Sequence, residues 1–368
     1  MIFAKDTEEV REVLADKYSR GRQVVAVADE NTAAFVPQTG KSGGLACSIE
    51  TVVLQAGEEH KNIGGVETVV LQAGEEHKNI SSVERIWDFL HEKEATRDTV
   101  LLCVGGGTVT DLGGFAAATY KRGIDYVNIP TTLLAMVDAS TGGKTGFNRN
   151  GVKNEIGCFR MPAETIICTS FLRTLPPEEL LSGFAEMLKH ALVADKKEYT
   201  KLLGILEDGG LQEPESEDFR KAVRRSIEIK EGFAKADPED RGIRKTLNFG
   251  HTVGHALEAA AISKGRTLRH GYAVMQGMVA ELYLSALQNG LPHEILQQMS
   301  RVMREYYGRA ECGCKDMKEL LTLMRSDKKN RTAGETNFTL LADAGKPLTD
   351  QTADEKNTKE ALEYLFSL

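Results

Sequence analysis

The sequence lacks the features that mark membrane-spanning and secreted proteins. Its 368 residues contain no uninterrupted apolar run of the roughly 18 residues that a membrane-spanning helix needs. The first residues, MIFAKDTEEVREVL, are charged and patterned like an amphipathic helix rather than a signal peptide. We therefore expect a cytoplasmic protein with no membrane partner.

The sequence also has few cysteines and no excess of positive charge. The six cysteines show no regular spacing, and the pair Cys312 and Cys314 is one residue short of the CxxC redox motif, so we expect free thiols. There are 46 Lys and Arg residues against 54 Asp and Glu, which gives a formal net charge of −8. This balance argues against a nucleic-acid partner, and an anionic ligand would need a local cluster of cations.

The remaining composition is that of a folded protein. Apolar residues make up 41% and charged residues 27%, and the length suits two domains. In the first half, short β-branched runs alternate with helical patterns, which predicts a parallel α/β sheet. The predicted strands are residues 24–28, 68–71, 99–104, 126–129 and 165–168.

The pattern changes at LPPEE, where proline followed by acidic residues indicates the start of a helix. Beyond this point amphipathic stretches replace the β-branched runs, so the second half is predicted to be mostly helical. The predicted helices are residues 178–194, 216–235, 248–262 and 271–288. We expect an α/β domain at residues 1–175 and a helical domain at residues 176–368.

One segment is duplicated. The string ETVVLQAGEEHKNI occurs at residues 50–63 and again, unchanged, at residues 67–80. Repeat architectures need several copies of at least about 20 residues, so a single duplication indicates an insertion at the surface. The second copy leads directly into a helix and a strand, and we assign it the native role. An exchange of roles between the copies is the alternative.

A glycine-rich loop gives the first indication of a ligand. The apolar strand LLCV runs into three glycines at residues 105–107, and a helix of small residues follows. Consecutive glycines let a phosphate approach the backbone, and the N-terminus of the following helix presents free N–H groups to an anion. The spacing differs from the GxGxxG fingerprint, so a tight structural turn is the alternative to a dinucleotide site.

Downstream, the segment IPTTLLAMVDASTGGKTGFN places hydroxyls at Thr131 and Thr132, a carboxylate at Asp138 and a cation at Lys144. Its GGKT end resembles a P-loop. That interpretation fails because Asp138 occupies the position of the first glycine in GxxxxGK[ST]. Lys144 is better interpreted as a rigidly placed contact to a phosphate or carboxylate.

Histidines and a glutamate in the second half predict a metal site. Glu186 and Lys189 lie three residues apart on an otherwise apolar helix, where a simple salt bridge is the alternative. His251 and His255 are four residues apart, and His270 precedes another helix. Catalytic zinc sites use about three protein ligands, which a glutamate and some of these histidines could provide, although each histidine alone fits a structural role. HTVGH lacks the glutamate of HExxH, which argues against a metalloprotease.

In combination, these motifs resemble the 3-dehydroquinate synthase family of the sugar phosphate cyclase superfamily, from about Asp29 to Gly345. Their order and approximate spacing agree with the family. The matching motifs are GEEHK at 74–78, GGGTVTD at 105–111, YKRG at 120–123, PTTLLAMVDASTGGKT at 130–145, KNEIG at 153–157, LPPEELLSGFAEMLKH at 175–190, RKTLNFGHTVGHALEA at 244–259, RHGYAV at 269–274 and DKK at 327–329. Tyr272 and Thr108 depart from the usual pattern without removing a ligand.

The resemblance implies an N-terminal Rossmann-like NAD-binding domain and a C-terminal, mostly α-helical metal-binding domain. Zn²⁺, or alternatively Co²⁺, would be held by Glu186, His251 and His270, with His255 serving in substrate binding and proton transfer. NAD would contact Asp29, Glu75, Lys78, Gly106, Gly107, Thr108, Thr131, Thr132, Asp138 and Thr174. The substrate would contact Arg122, Lys144, Lys153, Asn154, Lys189, Lys230, Arg244, Asn248, His255 and Lys328. Arg122 would reach the neighbouring subunit's site, which implies a homodimer.

The implied reaction converts 3-deoxy-D-arabino-heptulosonate 7-phosphate to 3-dehydroquinate and phosphate, in the shikimate pathway to aromatic amino acids. NAD would oxidise a ring hydroxyl transiently, which acidifies the neighbouring C–H and permits β-elimination of phosphate. Re-reduction, ring opening and an aldol step would then close the carbocycle. Such a lyase does not consume NAD.

Three alternatives share parts of this pattern. Another sugar phosphate cyclase would have the same fold, NAD and zinc, but Lys230, Arg244, Asn248 and Lys328 favour a substrate that bears a carboxylate. A metal-dependent polyol or alcohol dehydrogenase would have a related two-domain plan and would release NADH. A non-catalytic binding protein would leave the many separate polar positions unexplained.

Overall fold

The structure is a computed structural model that describes residues 1–18, 21–36, 60–63, 66–150, 152–310, 312–325 and 336–368, with only the backbone described for 60–63. The chain divides into two units, Met1–Leu175 and Pro176–Leu368. Within the described residues, no helix combines the length and apolar character needed to cross a membrane. The five cysteines of the described ranges are free, as expected, and Cys47 lies outside these ranges.

The first unit is built on strands that are nearly continuous apolar runs, as is typical of a parallel sheet covered on both faces. Its strands are β1 (Ile2–Phe3), β2 (Val24–Asp29), β3 (His60–Ile63), β4 (Val66–Leu71), β5 (Val100–Gly105), β6 (Asp125–Pro130), β7 (Lys144–Arg149), β8 (Val152–Phe159) and β9 (Glu164–Ile167). Seven of them form one sheet in the order β1-β9-β6-β5-β2-β4-β3, and β7 and β8 form a separate antiparallel hairpin. All pairs in the large sheet are parallel except β3 with β4.

Among the described residues of this unit, the helices that accompany the sheet are α1 (Thr7–Tyr18), α2 (Ile80–Glu92) and α3 (Gly107–Thr119). The core is formed by β-branched strand residues together with apolar side chains of α2 and α3, among them Ile86, Phe89 and Leu112. Helix α3 lies very close to β5, because a Cβ atom on Gly113 would overlap the Cys103 sulfur. A glycine at this position is therefore required for the packing of the helix that follows the glycine-rich loop.

The five predicted strands coincide with β2, β4, β5, β6 and β9, which confirms the α/β prediction. The second copy of the duplicated segment supplies β4 and the start of α2. The last four residues of the first copy form β3, which pairs antiparallel with β4 at the edge of the sheet. The rest of the first copy lies outside the described residues, so its assignment as an insertion stays a prediction.

The second unit is mostly helical, as predicted. Its helices are α4 (Pro177–Ala194), α5 (Lys196–Glu207), α6 (Glu217–Ala236), α7 (His251–Ser263), α8 (His270–Asn289), α9 (His293–Val302), α10 (Met317–Arg325) and α11 (Glu355–Ser367). Helices α4 and α8 are buried over most of their length, and α8 contacts α4, α7, α9 and α11. One hairpin, β10 (Asn337–Asp343) with β11 (Lys346–Thr352), also packs against α8.

Candidate active site

In the first unit, most of the residues predicted to bind NAD follow the carboxyl ends of parallel strands. Ligands of open α/β sheets bind at this edge, so the placement fits a nucleotide. Asp29 ends β2, Glu75 and Lys78 follow β4, Gly106, Gly107 and Thr108 follow β5, Thr131, Thr132 and Asp138 follow β6, and Thr174 follows β9.

The glycine-rich loop leaves little room for side chains between its backbone and its neighbours. A Cβ on Gly105 would lie 2.6 Å from the Val109 Cβ, and one on Gly107 would lie 3.2 Å from the Ala139 Cβ. Gly106 is the N-cap of α3 and offers no side chain to the first-turn N–H groups. The buried Thr131 hydroxyl has no hydrogen-bond partner among the described residues. These groups fit a phosphate-bearing ligand at the start of α3.

A buried lysine joins the GEEHK loop to α3. Lys78 is only 4% exposed, and its Nζ donates to Asp111 Oδ2 and to Asn154 Oδ1, both at 2.6 Å. Burial lowers the pKa of Lys78, but the charges of Asp111 and Glu75 outweigh this effect and raise it above its ordinary value. The lysine therefore stays charged at neutral pH and fixes the loop against the helix.

The hydrogen bonds of Lys78 with Asp111 and Asn154 form part of a larger set, which we call the Lys78 network. Glu75 and the β7–β8 hairpin extend it. The Glu75 carboxylate accepts a hydrogen bond from the Asn148 amide at 2.9 Å and from the Thr108 hydroxyl at 3.3 Å. Asn148 in turn accepts from the backbone N–H of Asn154, which has a left-handed φ of 50°. Four predicted residues, Glu75, Lys78, Thr108 and Asn154, are thus brought together.

Asp29 is held at the end of β2 by its own turn. Its Oδ1 lies 2.9 Å from the Thr32 hydroxyl and accepts the backbone N–H of Asn31 at 3.0 Å. Burial raises the pKa of Asp29, against the opposing effect of these hydrogen bonds. A carboxylate in this position after the second strand can accept hydrogen bonds from ribose hydroxyls.

The remaining predicted residues of the first unit lie elsewhere on it. Arg122 is exposed and has a left-handed φ of 70° in the turn after α3. Lys144 is the first residue of β7, Lys153 lies in β8, and Thr174 is the exposed last residue of a 3₁₀ turn that follows β9. Lys153 directly precedes Asn154, whose side chain accepts a hydrogen bond from Lys78.

In the second unit, three predicted ligands converge. Glu186 is fully buried on α4, and its Oε1 lies 3.7 Å from His251 Nε2 and 3.3 Å from His270 Nε2. One ligand atom from each of the three residues lies within 4.8 Å of the others. His251 and His270 are the first residues of α7 and α8, so two helix starts face the side of α4.

The second nitrogen of each histidine has its own acceptor. His251 Nδ1 lies 3.1 Å from the Phe249 carbonyl, and His270 Nδ1 lies 3.4 Å from Glu258 Oε1. Protonated Nδ1 atoms would leave both Nε2 atoms free to bind a cation, as in many metal sites. Burial lowers the pKa of His270, but Glu258 and Glu186 outweigh it and raise the pKa to about 10. The carboxylates thus favour a positive charge here, which a bound cation would supply.

The distances test whether these residues fit a metal ion. Tetrahedral zinc with ligand bonds of about 2.0–2.1 Å separates its ligand atoms by about 3.4 Å. The two distances from Glu186 Oε1, 3.3 and 3.7 Å, agree with this spacing. Two imidazoles and one carboxylate also form a donor set of catalytic zinc sites, and the donor set fits Zn²⁺ or Co²⁺.

The other oxygen of Glu186 faces basic groups. Lys189, one turn further along α4, forms an ion pair with Oε2, and His190 Nε2 lies 3.9 Å from the same atom. The His190 ring is held on its other side by Ser226, with Nδ1 2.9 Å from the hydroxyl. The carboxylate is therefore oriented with one oxygen toward the two histidines and one toward Lys189.

His255 lies beside this cluster, and the other predicted residues belong to the same unit. The His255 ring centroid lies 5.2 Å from that of His251 and 6.2 Å from that of His270. Lys230 on α6 and Arg244 are buried cations, and Asn248 ends the 3₁₀ turn before α7. Lys328 lies outside the described residues.

A compact loop fixes Arg244. The Asp237 carboxylate accepts hydrogen bonds from the backbone N–H groups of Arg241, Gly242 and Arg244, and these bonds lower the pKa of Asp237. The Arg244 guanidinium donates to the Pro238 carbonyl at 3.1 Å. Because a guanidinium has five donors, Arg244 can bond to several acceptors at once.

Two carboxylates that support these sites were not predicted from the sequence. Asp111 pairs with Lys78, and Glu258 contacts His270. Each is an acidic residue on a helix that is otherwise apolar or built from small residues. That contrast was visible in the sequence and could have indicated a buried polar role.

Solved structures with this fold define a class of enzymes. 2-epi-5-epi-valiolone synthase from Streptomyces hygroscopicus subsp. jinggangensis, with NAD⁺ and Zn²⁺ bound, is 26% identical at a TM-score of 0.80, covering 96% of this chain and 93% of that one. An iron-containing alcohol dehydrogenase from Corynebacterium glutamicum is 15% identical at a TM-score of 0.62, covering 99% and 93%. The chain thus has the fold shared by sugar phosphate cyclases and iron-type dehydrogenases.

Sequence comparison narrows the class to one family. Profiles described as 3-dehydroquinate synthase N-terminal and C-terminal match residues 68–182 and 183–330. A 3-dehydroquinate synthase of Parabacteroides distasonis is 43% identical, over 76% of this chain and 78% of that protein. One from Coxiella burnetii is 36% identical, over 95% and 92%. The chain belongs to the 3-dehydroquinate synthase family, which confirms the resemblance.

Proposed function

We propose that the protein converts 3-deoxy-D-arabino-heptulosonate 7-phosphate to 3-dehydroquinate and phosphate, as an NAD- and metal-dependent lyase. The observation that carries this proposal is the convergence of Glu186, His251 and His270 in a chain whose two halves both match the family. The glycine-rich loop and the Lys78 network support a nucleotide role for the first unit.

The two cofactors would supply chemistry that side chains lack. NAD would take up and return a hydride, and a divalent cation held by Glu186, His251 and His270 would act as a Lewis acid. The residues of the first unit would bind and orient the nucleotide: the first turn of α3 its phosphates, and Asp29 its ribose hydroxyls.

The basic residues of the second unit would hold the anionic substrate. Lys189, Lys230 and Arg244 are buried, although the protein as a whole is acidic. Buried cations make strong charge-assisted hydrogen bonds with a carboxylate or a phosphate, and arginine can do so through two parallel bonds. We further assign Lys144, Lys153, Asn154, Asn248 and Lys328 to substrate binding.

His255 is the proposed proton-transfer residue. Its ring lies beside those of His251 and His270 but is not among the three converging ligands. Imidazole is the side chain best suited to accept and donate protons near pH 7. The phosphate of the substrate can itself take up a proton during elimination. We therefore assign only one proton transfer to His255.

Product analysis tests the proposal against its rivals. With Zn²⁺ and NAD, the purified protein should release inorganic phosphate from the heptulosonate phosphate and form a carbocyclic acid, measured by a phosphate assay and mass spectrometry. A sugar phosphate without the carboxylate should react far more slowly. Comparable or faster turnover of that substrate would favour another sugar phosphate cyclase.

Two arginines of one loop provide a matched pair of variants for the same assay. Arg244→Met should lower kcat/KM for the acidic substrate by about 10- to 100-fold, because a charge-assisted hydrogen bond contributes about 1.5–3 kcal/mol. Arg241→Met should leave it unchanged, since that side chain is 83% exposed. Equal effects of the two variants would contradict the assignment of Arg244 to substrate binding.

A further inference from the structure

A buried glutamate on α8 caps the helix that carries His251. Glu281 is fully buried, and its carboxylate accepts three backbone N–H groups at the start of α7. Oε2 accepts from Gly250 at 2.6 Å, and Oε1 accepts from Thr252 at 3.1 Å and Val253 at 3.2 Å. The residues on both sides of His251 in the chain are therefore held by one side chain of a different helix.

The start of α7 has no local means of satisfying these groups. The first N–H groups of a helix have no partner within the helix and need an acceptor when they are buried. The N-cap of α7 is Gly250, with a left-handed φ of 79° and no side chain. Glu281 takes over the capping function, and its negative charge also suits the positive end of the helix dipole.

Glycines bring α7 and α8 close enough for this contact. A Cβ on Gly277 would overlap the Gly250 carbonyl oxygen, and a Cβ on Gly250 would lie 2.6 Å from the Met278 Cγ. Gly277 lies one helical turn before Glu281. The close crossing therefore places the carboxylate directly against the start of α7.

Helix α8 thus determines the position of both histidine ligands. It carries His270 as its first residue, and through Glu281 it holds the backbone on either side of His251. The two rings lie 5.4 Å apart between centroids, and both Nε2 atoms face Glu186. A shift of α7 along α8 would change this arrangement directly.

We propose that Glu281 is a positioning residue for the metal site, because it fixes the start of α7 and with it His251. The inference rests on the proposed metal-dependent function. A glutamate that only stabilised the fold would affect melting but not the affinity or geometry of a metal bound to the folded protein. Metal binding is therefore the measurement that separates the two roles.

The test compares Glu281→Gln with the wild-type protein over the full chain. The glutamine amide keeps the size of the side chain but loses the charge and one acceptor. We expect Zn²⁺ affinity, measured by competition with a chromophoric chelator, to fall about 10- to 100-fold, as is typical when a residue that orients a metal ligand is changed. The visible spectrum of the Co²⁺-loaded variant should also shift, because it reports the coordination geometry.

A second helix cap in the same unit provides the control. Asp354 is exposed and caps α11 by accepting the Asn357 N–H at 2.7 Å. Asp354→Ala should lower the melting temperature but leave Zn²⁺ affinity and the Co²⁺ spectrum as in the wild type. If Glu281→Gln does not fold, Glu281→Asp, which keeps the charge on a shorter side chain, is to be measured in the same way.

The outcomes separate this inference from the proposed function. Wild-type Zn²⁺ affinity and an unchanged Co²⁺ spectrum in a folded Glu281 variant would overturn the positioning role and leave the proposed function intact. Absence of Zn²⁺ and Co²⁺ binding in the wild-type protein would overturn both. Weakened binding with a shifted spectrum in the Glu281 variant, against an unchanged Asp354→Ala control, supports the proposal.

Discussion

The rings of His251, His255 and His270 lie close to one another, and their contacts differ residue by residue. His251 and His270 each direct Nε2 toward the carboxylate and have an acceptor at Nδ1. The His255 ring contacts both of these rings, but His255 is not one of the three residues whose ligand atoms converge. The i and i+4 spacing of His251 and His255 could not reveal which of the two converges with Glu186 and His270.

This difference leads to a prediction about metal content. His270→Ala should lose the bound metal, because a site with about three protein ligands is left with two. His255→Ala should keep about one ion per chain and lose activity. Elemental analysis of both variants after dialysis tests this. Loss of metal in both would show that the ligand assignment is wrong.

Lys78 gives a second prediction at the residue scale. Lys78→Met leaves the carboxylate of Asp111 without its nearest cation, and breaking such a buried pair costs about 3 kcal/mol of the free energy of unfolding. Chemical denaturation measures the loss. Lys235→Met, at an ion pair whose lysine is 77% exposed, should change far less.

The pH dependence of this loss follows from the raised pKa of Lys78. A group with a raised folded-state pKa contributes its stability fully below its ordinary value, here 10.5, and loses it as pH rises through the folded-state pKa. The gap in stability between wild type and Lys78→Met should stay constant from neutral pH to about 10 and narrow above it. A gap that closes below pH 9 or so would contradict the charge state assigned to Lys78.

At the scale of elements, the duplicated segment shows where local sequence stops being informative. HKNI forms strand β3 in the first copy, whereas in the second copy its asparagine caps helix α2. The same four residues thus adopt two structures. Strand pairing and helix capping depend on the neighbours in space, which a short sequence window does not contain.

Helices and strands with a long, regular apolar pattern could be predicted from the sequence. Features that depend on contacts between elements could not. The strands of the parallel sheet and helices α4, α6, α7 and α8 follow from their apolar patterns. The β7–β8 hairpin was missed, because its burial alternates irregularly and its exposed residues include Phe159. Glu258 and Glu281 were missed because their roles depend on which helices touch, and no pattern within one helix determines that.

The duplication also gives a prediction at this scale. Deleting residues 50–66 joins Ile49 to Glu67, so that an isoleucine takes the place of Val66, the first residue of β4, which is buried. The deletion removes β3 from the edge of the sheet but leaves all parallel pairs. NAD affinity, measured by calorimetry, and activity should stay within about threefold of the wild type, a change of less than 1 kcal/mol. Loss of NAD binding would show that the first copy has a role in the site.

For the whole molecule, we predict a homodimer with shared sites, from the role that the family resemblance implies for Arg122. This residue is exposed on the first unit and has a left-handed backbone conformation. Arg122→Ala and Lys189→Ala should each be nearly inactive, and mixing them under conditions of subunit exchange should restore part of the activity. In a mixed dimer one site contains both intact residues. No recovery, or a monomer by light scattering, would contradict the prediction.

The central claim is that one chain uses NAD and a metal in a redox-neutral cyclisation. The most direct test supplies the heptulosonate phosphate in large excess over NAD and counts both phosphate released and NADH formed. We predict that phosphate release continues far beyond one equivalent of NAD and that no NADH remains at the end. Phosphate release that stops at one equivalent of NAD, with a matching amount of NADH, would contradict it and indicate a dehydrogenase.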